Sequence, residues 1–276
     1  MDKQFLAPGE IVQAAIDAGK AKCEKSVSQL VILGILAGAF IALAAQGSNM
    51  AAFNLLGSPE TFGLGRAVAG AVFAIGLMLV VTTGTELFTG NTLICLAVYE
   101  KKATFGGMLR NWVIVYLSNF VGAVMIAWMM SVTGLWGSGG GALGAVTVNI
   151  AVNKVNMTFA AAFVAGILCN WLVCLAVWIA WGANTMAGKM FVIFFPIFLF
   201  VTSGFEHSIA NMYYIPAGIF AKGAFGGHQT AEALASLNWG NFVTGNLIPV
   251  TLGNIVGGCL FVGTAYWYSQ YRTAGK

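Results

Sequence analysis

Val81-Thr82-Thr83-Gly84-Thr85-Glu86-Leu87-Phe88-Thr89-Gly90-Asn91 returns 120 residues later as Val201-Thr202-Ser203-Gly204-Phe205-Glu206-His207-Ser208-Ile209-Ala210-Asn211. Val, Thr, Gly, Glu and Asn hold matching places, and Thr83 answers Ser203. Each copy interrupts a long apolar segment with glycine, hydroxyls and one carboxylic acid. Glu86 and Glu206 are thereby read as the two acids at membrane depth. An ionisable group there is costly and by default marks a functional site.

Composition sets the solvent. Hydrophobic residues make up 59% of the chain and charged residues 8%, against roughly 25% charged in a soluble globular protein. Runs without a charge extend from Ser26 to Pro59, Asn111 to Asn153, Val155 to Gly188 and Ala233 to Tyr271. Each exceeds the ~20 apolar residues that cross a bilayer. The expectation is an all-α polytopic protein of the lipid bilayer with little mass outside it. A charged stretch precedes the first apolar run without a small-residue cleavage site, so no cleavable signal is expected. The net charge of +4 implies no nucleic-acid partner. Cys23, Cys95, Cys169, Cys174 and Cys259 form no CxxC pair, and no histidine stands at ligand spacing from them. They read as small packing residues, and neither a metal nor any other cofactor is expected.

Six spans follow from hydropathy: about Gln29–Gln46, Ala67–Tyr99, Leu109–Thr133, Thr158–Trp181, Met190–Pro216 and Asn241–Tyr268. The second and fifth are interrupted near Gly84–Gly90 and Gly204–Ala210, which suits half-helices joined by irregular backbone. With six spans and both termini on one side, that side collects Lys3, Lys20, Lys22, Lys25, Lys101, Lys102, Arg110, Lys189, Arg272 and Lys276. The other side holds Arg66, Lys154 and Lys222. Basic residues favour the cytoplasm, so both termini are expected there, in an inner membrane. The chain divides into an amphipathic cytoplasmic helix (1–25), a first repeat (26–133), an outer linker (134–157) and a second repeat (158–270), all one transmembrane domain. The amphipathic helix, with Ile11, Ala14, Ala15 and Ala18 at helical spacing, is expected on the membrane surface. Covering a pore mouth is its other possible role. Gly134 to Gly144 reads as a flexible outer loop.

The duplication is wider than the opening pair. Gly34-Ile35-Leu36 recurs as Gly166-Ile167-Leu168, and Asn119-Phe120-Val121-Gly122 as Asn254-Ile255-Val256-Gly257. An odd number of spans per repeat forces opposite orientations, giving an inverted repeat of three spans. In such folds the substrate path lies at the repeat interface and the interrupted helices build it.

Within that frame the acids have two readings. Each carboxylate binds backbone N–H groups or a hydroxyl freed at its break, or it handles protons or cations directly; the symmetry favours the structural role. His207 breaks the symmetry, because its partner by repeat is Leu87. A histidine at a break, followed by Ser208 and Asn211, is a candidate proton or hydrogen-bond donor. Thr89 offers a hydroxyl at the other break. Leu77, Leu87, Phe73 and Phe200 lie on the apolar approaches and read as constrictions or as core. Lys154 could draw anions into an outer vestibule.

The same residues resemble the formate/nitrite transporter family over nearly the whole chain. The resemblance rests on Leu6-Ala7-Pro8, on Glu86-Leu87-Phe88-Thr89 and on Asn119-Phe120-Val121-Gly122. Leu175-Ala176-Val177-Trp178, Gly204-Phe205-Glu206-His207-Ser208-Ile209-Ala210-Asn211-Met212 and Asn246-Leu247-Ile248-Pro249-Val250-Thr251 complete it. It implies an aquaporin-like protomer with its own pore, a homopentamer, and passage of formate, nitrite or hydrosulfide together with protons. It implies His207 as the central histidine, Thr89 as its counterpart, and Asn170 as a pore-side amide. Leu77 and Leu87 would form the cytoplasmic constriction and Phe73 and Phe200 the outer one. Lys154 would be the vestibule lysine and Lys22 part of an N-terminal gate.

Other classes stay open. A water or glycerol channel would carry paired Asn-Pro-Ala stretches, and no proline here follows asparagine. An enzyme is not expected, because no phosphate loop, HExxH or metal cluster is present. A membrane subunit without transport of its own is the remaining alternative.

Overall fold

Residues 5–273 are described by the computed structural model. Lys3 and Lys276, counted above for orientation, lie outside them. Helix α1 spans Pro8–Glu24, α2 Val27–Leu56, α3 Phe62–Thr83 and α4 Phe88–Tyr99. Then come α5 (Phe105–Val132), α6 (Ala142–Val155), α7 (Phe159–Gly182), α8 (Met186–Ser203), α9 (Ser208–Phe225), α10 (Ala231–Ser236) and α11 (Trp239–Arg272). Six of these are long and apolar enough to cross a membrane: α2, α3, α5, α7, α8 and α11. Their outer faces expose Ile32, Leu117, Trp128, Phe191 and Leu260, a belt that only lipid or another apolar partner would tolerate.

Several expected boundaries move. The first span continues ten residues past Gln46, to Leu56. Hydropathy falls at Gln46, Ser48 and Asn49, yet all three are buried. Ser48 donates to the Ala69 carbonyl at 3.0 Å, and Tyr213 donates to Gln46. Pro216 lies inside α9 rather than at its end.

The linker is not all loop. The glycines Gly139, Gly140 and Gly141 take left-handed conformations, and α6 starts directly after them. The glycine run hid the helical spacing of Leu143, Val148, Ala151 and Val155, which face the core. Helix α1 buries Val12, Ala15, Ile16 and Gly19, so its apolar stripe sits slightly round from the expected Ile11, Ala14, Ala15 and Ala18. It shares a core with Ile94, Leu96 and Trp178, and its apolar face is therefore docked on protein.

Close helix crossings tie each repeat together. A methyl group at Gly122 on α5 would overlap the Ile35 carbonyl of α2, and one at Gly257 on α11 would overlap the Ile167 carbonyl of α7. Small residues at such crossings let the backbones touch where lipid gives no hydrophobic drive between helices. Gly122→Ala is therefore expected to cost about 1–3 kcal/mol through forced helix separation. The check is the thermal midpoint of the detergent-solubilised protein.

Candidate functional site

The two copied stretches are where helices stop. Helix α3 ends at Thr83, with Gly84 at φ 72° donating to the Val80 carbonyl. Helix α8 ends at Ser203, with Gly204 at φ 84° donating to the Phe200 and Val201 carbonyls. A left-handed residue closes a helix this way, and glycine adopts it without a Cβ penalty. Four residues later the chain is helical again, at Phe88 and Ser208.

After each glycine the next N–H still bonds its own helix, Thr85 to Val80 and Phe205 to Phe200, and the one after that goes to a neighbouring helix. Glu86 N–H donates to the Leu33 carbonyl at 3.2 Å, and Glu206 N–H to the Ala165 carbonyl at 3.2 Å. Asn119 Oδ1 accepts the Phe88 N–H at 3.0 Å, while its Nδ2 donates to the carbonyls of Gly34 (2.8 Å) and Glu86 (2.9 Å). Asn254 repeats this with Ser208 N–H (2.9 Å), Gly166 (2.8 Å) and Glu206 (3.0 Å). Backbone without helical partners is thus satisfied inside the protein, the condition for irregular chain at that depth.

The acids do not cap these breaks, contrary to the sequence reading. Asparagines do that, and the carboxylates bind side chains. Glu86 Oε2 accepts from Asn91 Nδ2 at 2.7 Å and from Lys22 Nζ at 2.9 Å. Lys25 Nζ stands 3.6 Å from Glu86 Oε1. Glu206 Oε1 accepts from Lys154 Nζ at 2.6 Å, and its Oε2 from Asn211 Nδ2 at 2.7 Å and Asn246 Nδ2 at 3.3 Å. Asn111 and Asn246 close the two nests. Each touches the facing asparagine and donates to its lysine's own carbonyl, Lys22 at 3.1 Å and Lys154 at 3.0 Å. The repeat therefore includes α1 and α6, each delivering one lysine from its last turn. A carboxylate sits 1–4% exposed in each nest, and such a charge is tolerated only when paired and hydrogen-bonded.

The asymmetric pair meets at the centre. His207 Nε2 lies 2.9 Å from Thr89 Oγ1. His207 Nδ1 accepts the Ala210 N–H at 3.0 Å, capping α9. A nitrogen that accepts carries no proton, so the neutral ring has its hydrogen on Nε2, directed at Thr89. The Thr89 hydroxyl then accepts from the ring and keeps its own hydrogen to give. Both residues are at most 2% exposed. Asn170 does not line either cavity described below. Its Nδ2 donates to the carbonyls of Thr89 (3.2 Å) and Asn254 (2.6 Å), bracing one break against the other repeat.

Two cavities approach this centre from opposite ends. One of about 270 Å³ is lined by Lys22, Lys25, Leu77, Glu86, Leu87 and Asn91. The other, of about 670 Å³, is lined by Arg66, Phe73, Lys154, Phe200, Glu206, His207 and Asn211. The smaller meets the last turn of α3 at Val81 and Gly84, the larger its first turn at Phe62 and Arg66, so they lie on opposite faces of the bundle. Leu77 and Leu87 thus stand on the α1 side of His207 and Phe73 and Phe200 on the α6 side. The two phenyl rings meet edge to face with centroids 5.7 Å apart. Sequence reasoning named the acids, His207, Thr89 and Lys154, but missed the asparagine clamps, the Lys22 and Lys25 contacts with Glu86, and Arg66.

Comparison with known proteins decides the family. The formate/nitrite transporter family matches residues 9–268. The chain belongs to the formate/nitrite transporter family. Among its relatives are a probable formate transporter of Methanothermobacter thermautotrophicus, 40% identical over 99% of this chain and 100% of the relative. The formate channel FocA of Escherichia coli strain K12 is 39% identical over 97% of this chain and 95% of its own. A solved pentameric formate channel with formate bound superposes with a TM-score of 0.78 at 36% identity, covering 89% of this chain and 98% of the other. An ion channel of the same family gives 0.79 at 30% identity, over 94% and 98%. These formate/nitrite transporter relatives are channels and transporters, not enzymes. The six apolar helices here are the spans of a multi-pass membrane channel of that class.

Proposed function

We propose that this chain is a formate channel of the inner membrane, with both termini cytoplasmic and one pore in each protomer of a homopentamer. The pentamer and the anion are supported by the solved neighbour described as a pentameric formate channel with formate bound. The excess of basic residues on the α1 side supports the orientation. The observation that carries the reading is the donor pair at the centre, Nε2–H of His207 and the hydroxyl of Thr89, 2.9 Å apart between a leucine collar and a phenylalanine collar.

Energetics decide what such a site must do. Moving an ionised carboxylate into an apolar collar costs several kcal/mol even after relaxation, and far more without it. Two hydrogen bonds to a charged group, one from the Thr89 hydroxyl and one from Nε2–H once it turns from Thr89 to the anion, return about 1.5–3 kcal/mol each, less the His207–Thr89 bond given up. They hold the anion but do not carry it through both collars. A proton removes most of the remaining cost. In the proposed step the ring takes a second proton at Nδ1 from water of the larger cavity, which His207 lines, on releasing the Ala210 N–H. The Nε2 proton then moves to a formate oxygen, giving formic acid and a neutral ring protonated at Nδ1. The ring resets when Nε2 takes a proton from water and Nδ1 gives up its own, restoring the Ala210 bond. Formic acid returns the proton to water beyond the collar. Lys22 at the α1 end acts in the same scheme as part of a gate, since it lines the small cavity and its amine holds Glu86 there at 2.9 Å.

The test is formate flux into proteoliposomes of the purified protein from pH 5 to 8. Wild type is expected to conduct faster at acid pH. His207→Asn keeps a helix-capping side chain but has no titratable ring. It is expected to lose at least about tenfold in flux, near 1.4 kcal/mol, and most of the pH response. An unchanged rate and pH response would remove the proton-donor role. Nitrite and hydrosulfide, assayed alongside, rank the small anions, and swelling with uncharged solutes separates a neutral-solute channel. Flux by the purified protein alone excludes a purely structural subunit.

A further inference from the structure

Arg66 has no counterpart in the other repeat; the position 120 residues on is Met186. Its Nε donates to the Thr202 carbonyl at 3.3 Å, and a terminal nitrogen donates to the Val201 carbonyl. Arg66 therefore caps the C-terminal end of α8, where carbonyls concentrate negative potential beside the phenylalanine collar. Those contacts use part of its five N–H donors. Among the described residues it pairs with no carboxylate, whereas the three lysines of the two nests all stand within 4 Å of an acid.

Asn49 adds an independent sign. It lines the same 670 Å³ cavity as Arg66, is 2% exposed, and its Nδ2 has no acceptor among the described residues. A buried amide donor without a partner is rare and calls for an explanation. Glu206 also borders the cavity, but both of its oxygens are taken by Lys154, Asn211 and Asn246. This wall thus holds surplus donors and no free carboxylate.

We propose that Arg66 and Asn49 form a holding site for one planar, two-oxygen monoanion in the α6-side vestibule, before the Phe73–Phe200 collar. The guanidinium fork matches a carboxylate or nitrite through two parallel N–H···O bonds, which a single-atom anion cannot use. Asn49 supplies a further donor to the same anion. The site rests on the anion-channel reading and gives it a means of preferring formate over hydrosulfide upstream of the central histidine.

The experiment compares formate and hydrosulfide uptake by wild type, Arg66→Lys and Asn49→Leu in proteoliposomes, as concentration series. Arg66→Lys keeps the charge and loses the fork. Asn49→Leu removes a donor that has no acceptor among the described residues. Both are expected to raise the half-saturating formate concentration, Arg66→Lys by about tenfold. Maximal flux stays within twofold of wild type, and so does half-saturation for hydrosulfide. Equal shifts for both anions, or no shift for formate, would overturn the holding site. If Arg66→Lys does not assemble, Asn49→Leu decides alone by the same criterion. A wild-type protein that moves neither anion removes the channel reading, and the holding site with it.

Discussion

Replacing Asn254 by leucine is expected to destabilise the protein by about 3 kcal/mol, because the buried Ser208 N–H and Glu206 carbonyl lose their partners and the Gly166 carbonyl, inside α7, loses its second donor. Its Oδ1 accepts the Ser208 N–H at the start of α9, and its Nδ2 bridges the Gly166 and Glu206 carbonyls. Each orphaned group costs about 1–3 kcal/mol, and no water inside a bilayer replaces the lost bond. The damage also reaches the pore, since the Asn254 carbonyl receives Asn170, which braces Thr89. Asn119→Leu is expected to match it, as Asn119 makes the same three bonds at the other break. Asn156→Leu is the contrast. Asn156 is exposed and bonds Val152 and Ser236 where water can substitute, so its loss is expected below about 1 kcal/mol. Thermal midpoints in detergent check all three. Equal midpoints for Asn254→Leu and wild type would mean that the breaks are held by something other than these clamps.

Those clamps also mark how far the sequence could be read. The breaks were legible because glycine, hydroxyls and a carboxylate stand out in an apolar run, and twice in the same order. His207 and Thr89 were legible as the places where the copies differ. The partners of the acids were not, because Lys22 and Glu86 are 64 residues apart and Lys154 and Glu206 are 52 apart, distances over which no local pattern reports a contact. One signal was available. Lys22 and Lys154 are separated by 132 residues, as are Gly34 and Gly166, so the lysines belong to the repeat. Following that spacing would have made α6 the counterpart of α1 rather than part of the outer linker. The length of α2 was lost for a different reason. Gln46 and Ser48 are bonded by other helices, and hydropathy scores a residue without knowing its partner. Arg66 was counted only as a loop-side base, since its capping of α8 depends on two helices crossing 135 residues apart in the chain.

Removing one member of the α6-side ion pair separates what the charges do for the fold from what they do for the anion. Glu206→Gln is expected to cost about 3 kcal/mol. Lys154, with its side chain 16% exposed, is left as a cation with no acid. Whichever way the new amide turns, its NH2 faces another donor, because one oxygen of Glu206 meets Lys154 and the other meets Asn211 and Asn246. The double variant Lys154→Gln/Glu206→Gln removes the stranded charge and lets two amides bond each other. It is expected to recover at least half of the lost stability, as neutral replacement of a buried pair often does. Flux is expected to part company with stability here. Glu206→Gln makes the vestibule more positive and should keep anion capture wherever it folds, while the double variant restores the fold with no lysine in the vestibule. In the double variant the half-saturating formate concentration should therefore stay severalfold above wild type, and the shift should shrink at high ionic strength. If the double variant regains both stability and wild-type half-saturation, Lys154 serves the fold alone, and the vestibule's pull on anions rests on Arg66.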